Sequence, residues 1–385
     1  MKKKLLEVAM PLFMIASLLI SCSDNDNHES QQVRVLQNNG VFVVSSGYSE
    51  SFAKGCITYY DYTTKAPSTL DSLMTVAGSF DENRKCDAVV YGSKLYVVVS
   101  SENMVYVRDV KSGQLLVSLS TIALMGEGSG LGPRRVTAAL GNIYVSTQSG
   151  YIAAIDTANY QLAKTYKAGS MPEGITIAGT KLYVTNSDGG RQRSPSISVI
   201  DLNTGSSSTI IHENIRYPQD IAVIGDAIYY LDLGTMDQEN SWQVDNGVYC
   251  IQGDSVVKVV DATGMAVGNV TDKNGTSVCI YTYNKPLGVG YADYWTYNVK
   301  TRGTTYFTSV EDADPSAIGV DPITGDVFIA FSWMKKIGWA TYVPDYTRNG
   351  FVSTFGTDGV VKDNFDCGIR PAGFAFYVGV KYVDV

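Results

Sequence analysis

Only two histidines, His28 and His212, occur among the 385 residues, too few for a histidine-based catalytic triad or a multi-histidine metal site. The acidic groups that remain are scattered. Glu173, Asp220 and Asp314 lie next to or near prolines and would suit a carboxylate-only calcium or lactonase-type site if the fold gathered them. The run Glu311-Asp312-Ala313-Asp314 lacks the EF-hand spacing and reads as a turn. The polar residues Arg134, Glu173, Gln219, Asp220 and Arg370 each stand within two positions of a proline. The aromatic residues Trp242, Tyr294, Trp295, Trp333 and Trp339 cluster in the later part of the chain. Wide amphipathic rings with scattered donors and acceptors are the chemistry of binding rather than of bond breaking. The reading is a binding protein without a catalytic cofactor or metal.

Those residues need a scaffold, and the sequence repeats one. The motif Gly-x-x-(Leu/Ile)-Tyr-Val or a close variant recurs at Gly92 to Val97, Gly141 to Val145, Gly179 to Val184 and Gly225 to Tyr230. Its tyrosines, Tyr96, Tyr144, Tyr183 and Tyr229, stand 48, 39 and 46 residues apart. A second anchor agrees, since Asp61, Asp109, Asp156 and Asp201 each end a β-patterned run at intervals of 48, 47 and 45. Such an aspartate accepts hydrogen bonds from turn amides and is a hairpin device, not an acid catalyst. Weaker units around Cys279 and Phe328, with Val41-Phe42-Val43 at the start, bring the number to seven. Periods of this length with short strands predict propeller blades. The expected fold is all-β, a seven-bladed β-propeller of four-stranded blades forming one domain over residues 33–385. The first unit has no inner strand before Val41, and Arg370 to Phe376 has no blade after it. Pairing the C-terminal strand with the N-terminal blade would close the ring and remove its open edges.

In such a ring the leads into the inner strands and the loops joining second to third strands share one face. The second-to-third loops lengthen from Gln148 to Gly150 in blade three, through Ser187 to Arg193 in blade four, to Leu233 to Asn246 in blade five. The four tryptophans fall in or beside these connections in blades five to seven, so this face is the expected ligand face. Arg134, Glu173, Gln219, Asp220 and Arg370 then ring the mouth of the central channel, either for a ligand or to satisfy channel water and neighbouring carbonyls. Arg191 and Arg193 read as decoration of a solvated loop.

The N-terminus supplies an address. Lys2, Lys3 and Lys4 precede an apolar stretch from Val8 to Ile20, and Leu19-Ile20-Ser21-Cys22 ends it. The stretch is 13 residues long and contains Pro11, short of the roughly 20 apolar residues that span a bilayer. The pattern reads as a lipoprotein signal over residues 1–21, cleaved to leave a lipidated Cys22. Residues 22–32, with Ser23-Asp24-Asn25-Asp26-Asn27, then form a flexible leash. Without residues 1–21 the chain has 27 basic and 37 acidic residues, a net charge of −10 that disfavours nucleic acid and anionic lipid. Lipidation leaves Cys56, Cys86, Cys250, Cys279 and Cys367, an odd set with no CxxC spacing, read as small core residues with room for one chance disulfide.

The acidic tract after Cys22 resembles the export tract of Bacteroidetes-type lipoproteins, which implies the outer face of the outer membrane. The repeats, with leads such as Pro133-Arg134-Arg135, Met171-Pro172-Glu173, Tyr217-Pro218-Gln219-Asp220, Asp314-Pro315-Ser316 and Arg370-Pro371, resemble those of YncE-like seven-bladed propeller lipoproteins of that group. Among these are cobalamin-capturing, BtuG-like proteins. The resemblance implies capture of cobalamin or a related corrinoid and its delivery to a TonB-dependent outer-membrane transporter. A glycan is the rival ligand, because it would use the same groups. A protein-interaction propeller in an envelope complex and a lactonase-like hydrolase are the remaining alternatives.

Overall fold

The computed structural model describes residues 32–48, 54–72, 86–237, 242–272, 275–285, 291–338 and 341–384. Cys22, the signal segment and the leash up to residue 31 lie outside the described residues. Among the described residues seven antiparallel sheets each follow a four-stranded path, and in the seventh blade one further strand, Thr341–Pro344, pairs with an extension of the second strand. The repeated Tyr-Val motif forms the second strand of its blade, as in Lys94–Val99, Asn142–Thr147, Lys181–Asn186 and Ala227–Asp232. This strand is the buried centre of each sheet, covered on both faces: Leu95, Val97, Ile143, Val145, Leu182 and Val184 are fully buried, and Tyr96, Val98 and Tyr144, between or beside them, are buried as well. The chain is a seven-bladed β-propeller.

Blade one is assembled from both ends of the described chain. Its second to fourth strands are Gln32–Ser45, Cys56–Asp61 and Ala66–Ser72, and its inner strand is Pro371–Asp384. The closing pair is antiparallel from Gln32 opposite Asp384 to Ser45 opposite Pro371. The core is distributed around this ring. Seven apolar clusters occur among the described residues, each shared by two adjacent blades. Phe42, Val44 and Ile57 of blade one meet Leu95 and Val97 of blade two, and Val41 and Val43 meet Phe328 and Ala330 of blade seven.

The recurring aspartates close the turns between third and fourth strands. Oδ1 of Asp61, Asp109, Asp156 and Asp201 each accepts from the backbone amides two and three residues on, at 2.7 to 3.1 Å. Asp321 makes the same pair of bonds in another turn. The amides of Ser112, Asn159 and Thr204 hold the carboxyls of Asp109, Asp156 and Asp201 below the usual range. A depressed folded-state pKa gives a stabilisation that is complete above the ordinary carboxylate value of about 3.9 and is lost as pH falls through the folded value. The triple variant Asp109→Asn, Asp156→Asn, Asp201→Asn is therefore expected to melt below wild type at pH 7. The gap should narrow as the pH is taken below about 4, which thermal melts across that range will check. Removal of residues 371–385 exposes both faces of the closure, and the expected outcome by circular dichroism and gel filtration is loss of the cooperative melt and association through the freed edge.

Candidate functional site: the channel mouth

Five inner strands carry a one-residue bulge at their leading end. In blade three, Pro133 faces Thr147 and Val136 faces Val145, three steps on one strand against two on the other. Blades four and five repeat this between Pro172 and Ile175 and between Pro218 and Ile221, and blades seven and one carry related shifts at Pro315 and Pro371. Proline fits here because it donates no ladder hydrogen bond, and the extra residue re-aims the side chains after it.

The first residue after the proline turns inward between blades. Arg134 and Glu173 are 3% and 2% exposed and form a two-pronged ion pair, Arg134 Nε donating to Glu173 Oε2 at 3.0 Å and Nη2 to Oε1. Gln219 is also buried. Second-strand hydroxyls tie the same places together: Ser146 Oγ donates to the Glu173 carbonyl at 3.0 Å and Thr185 Oγ1 to the Gln219 carbonyl at 2.5 Å. Arg134 and Glu173 therefore do not ring the mouth as the sequence reading had it; they weld blade three to blade four.

The second residue after the proline faces the channel. Arg135 Nη2 donates to Asp220 Oδ1 at 2.9 Å, reaching from blade three to blade five, and Arg135 Nη1 lies 3.8 Å from Asp87 of blade two. Blade four, between them, has Gly174 at this position. A Cβ there would fall 2.2 Å from the Gln219 carbonyl oxygen, so only glycine permits this approach of the inner strands. Asp87 Oδ2 also accepts from the Val136 amide at 2.9 Å. Burial pushes the Asp87 carboxyl up, against the pull of Arg135. Asp220, and after it Asp87, hold the Arg135 guanidinium charged.

These groups line a cavity of about 300 Å³ at the leading ends of the inner strands. Its polar lining includes Asp87, Arg135, Gln219, Asp220 and Tyr283, and its apolar lining Leu233, Met265, Ile318 and Phe374. Beside it, Lys285 pairs with Asp314, whose carboxyl is raised by burial and pulled back by that lysine. On blade one's side, the Arg370 guanidinium lies 5.5 Å from the Tyr346 ring, which packs on Tyr48 at 4.8 Å. The long connection of blade seven thus lies against the start of the closing strand. Glu173, Asp220 and Asp314, the carboxylates considered for a metal, each face a cation instead.

The aromatic residues separate. Tyr294 is fully buried against Tyr283 and Phe331 and belongs to the core between blades six and seven, not to a ligand surface. Trp295, next to Tyr294 and so on the other side of the strand, is half-buried in mid-strand against Tyr306, away from the loops. Trp333 is half-buried, with its ring 4.5 Å from that of Phe351 and 4.5 Å from the Arg348 guanidinium, and it lines a cavity separate from the mouth, with Lys65, Pro67 and Phe365. Trp242 opens the second strand of a hairpin, Thr235–Asp237 with Trp242–Val244, within blade five's long connection. Trp339 lies outside the described residues. His212 follows its outer strand, and its Nδ1 accepts from the Asn214 amide at 3.1 Å. Among the described residues no three His, Cys, Asp or Glu side chains converge as a metal-ligand set. Sequence reasoning missed Arg135, Asp87 and Tyr283; the second arginine of Pro133-Arg134-Arg135 was its available signal.

A family model described as low-density lipoprotein receptor repeat class B matches residues 187–223, from blade four's second-to-third connection into the inner strand of blade five. No curated protein matches the chain. Among solved structures, a hypothetical selenium-binding protein from Sulfolobus tokodaii aligns over 90% of this chain and 94% of its own, with TM-score 0.60 and 10% identity. Hydrazine synthase of Kuenenia stuttgartiensis aligns over 80% and 97%, with TM-score 0.55 and 14% identity. A chain of a mitotic checkpoint complex aligns over 92% and 99%, with TM-score 0.51 and 12% identity. At these identities the likeness is one of fold, and the class it defines is the β-propeller, a scaffold used for binding ligands or proteins.

Removing one partner of a buried ion pair leaves an uncompensated charge, at a cost of about 3–5 kcal/mol. Glu173→Gln or Arg134→Met alone should lose stability on that scale in urea unfolding. The double variant Arg134→Met, Glu173→Leu should recover most of it, because neither charge is then left unpaired.

Proposed function

We propose that this propeller captures a small ligand at the mouth of its channel and, held to the outer-membrane surface through a lipidated Cys22, delivers it to a TonB-dependent transporter. The observation that carries the capture reading is the mouth itself, a concave site lined by both charged or polar groups and apolar ones. Its charges are already paired: Arg135 has two carboxylates and Lys285 has Asp314. A free anion or cation would have to break those pairs, whereas neutral amides or hydroxyls can bond to their outer lone pairs and hydrogens. A corrinoid, ringed with amide side chains, has that chemistry, and the likeness of the repeats to cobalamin-capturing propellers supports it. A cavity of about 300 Å³ would admit one such side chain, with the macrocycle resting on the surrounding rim near Tyr346.

Titration calorimetry of the purified full chain in detergent with cyanocobalamin, beside a panel of host glycans, tests this reading. The expected outcome is heat at micromolar cobalamin, with affinity reduced about tenfold or more, or at least about 1.4 kcal/mol, in Asp220→Ala. No heat with cobalamin removes the corrinoid reading, and heat with a glycan alone transfers the mouth to that ligand. Binding unchanged in Asp220→Ala places the site elsewhere.

A further inference from the structure

Four of the five described cysteines are buried in the core, whereas Cys56 is partly exposed. Cys56 begins the third strand of blade one, and Cys367 directly follows the last strand of blade seven, Val361–Asp366. The two are remote in sequence and meet at the seam where the ring closes. Both line one cavity of about 280 Å³ between these blades. Both sulfurs also surround one residue, Gly368. Cys367 Sγ lies 3.6 Å from the Gly368 carbonyl oxygen, and Cys56 Sγ lies 2.2 Å from the point a Gly368 Cβ would occupy. A side chain at 368 would collide with the Cys56 sulfur, so glycine there keeps the space beside both thiols open. Ser45, paired with Cys56 in the sheet, sits in the same place, and its hydroxyl lies beside both thiols.

We propose that Cys56 and Cys367 are a thiol pair that forms a disulfide across the closure seam by exchange with a low-molecular-weight disulfide. The Cys56 thiolate, the more exposed of the two, attacks one sulfur of the external disulfide and releases one thiolate. The Cys367 thiolate then attacks the Cys56 sulfur of the mixed disulfide and expels the second. The protein loses two electrons and two protons, and the external disulfide becomes two thiols. Burial raises both thiols above their usual range, Cys367 further than Cys56, so the exchange is slow at neutral pH and quickens as pH rises. The bond would tie blade one to the end of blade seven and constrain the unfolded chain through a very long loop.

The test is to incubate the reduced full chain with oxidised glutathione under native conditions and map its peptides without reduction. A covalent link between the Cys56 and Cys367 peptides is expected, together with a melting temperature raised by about 5 °C or more. Cys367→Ser, which keeps a small polar side chain in place, should stop at a glutathione adduct on Cys56. If that variant fails to fold, the wild-type map still decides. A wild-type glutathione adduct that never resolves, a link through Cys86, Cys250 or Cys279 instead, or no reaction of the folded protein would each overturn the proposal.

Discussion

The pairing of the N-terminal strand with the C-terminal strand is the constraint on which the rest of the structure depends. A linear array of seven blades would present an unpaired edge and an unburied face at each end, and each apolar cluster needs a neighbour on both sides. With Gln32–Ser45 laid against Pro371–Asp384, every blade is an interior blade, and the seventh interface, between Val41, Val43, Phe328 and Phe365, completes the ring. The contact joins residues from opposite ends of the chain, so its loop-closure entropy is offset only once most other blades exist. The seam is accordingly where a covalent tie would matter most.

Closure also makes the mouth. Inner strands held around one axis must bring their leading ends together, and the bulge beside each proline decides what they present. One residue of the bulge turns into the gap between blades and the next turns to the channel. The first position, in Arg134 and Glu173, fastens the ring; the second, in Arg135 and Asp220, furnishes it. Because blade four has glycine at the second position, an arginine can bridge blades three and five. The scaffold repeats sevenfold, but the mouth does not, and this asymmetry lets a closed ring bind one orientation of an unsymmetrical ligand.

Much of the fold was legible in the sequence because its causes are local. Tyr-Val strands, aspartate turns and the missing first inner strand each leave a mark within a few residues, and their spacing supplied the number of blades. The site was less legible because its causes are not local. Nothing near Arg134 distinguishes it from Arg135; the difference is a bulge, set by pairing with a strand some ten residues later. Tyr294 and Trp295, adjacent on one strand, face its opposite sides by the pleat alone. Alternation with Ala292 marks Tyr294 as core, but the reading of aromatic residues as loop surface obscured that signal. The pairing of Glu173, Asp220 and Asp314 with cations joins different blades, and no single stretch of sequence records it.

The central claim is that the leading ends of the inner strands form one binding mouth. Hydrogen–deuterium exchange of the protein with and without cyanocobalamin tests it most directly, because it reports on every blade at once. The account predicts added protection confined to segments around Asp87, Arg135, Asp220 and Tyr283 and to the blade-seven connection near Tyr346. Protection instead at the aspartate turns on the opposite face, or none anywhere at saturating ligand, would contradict it.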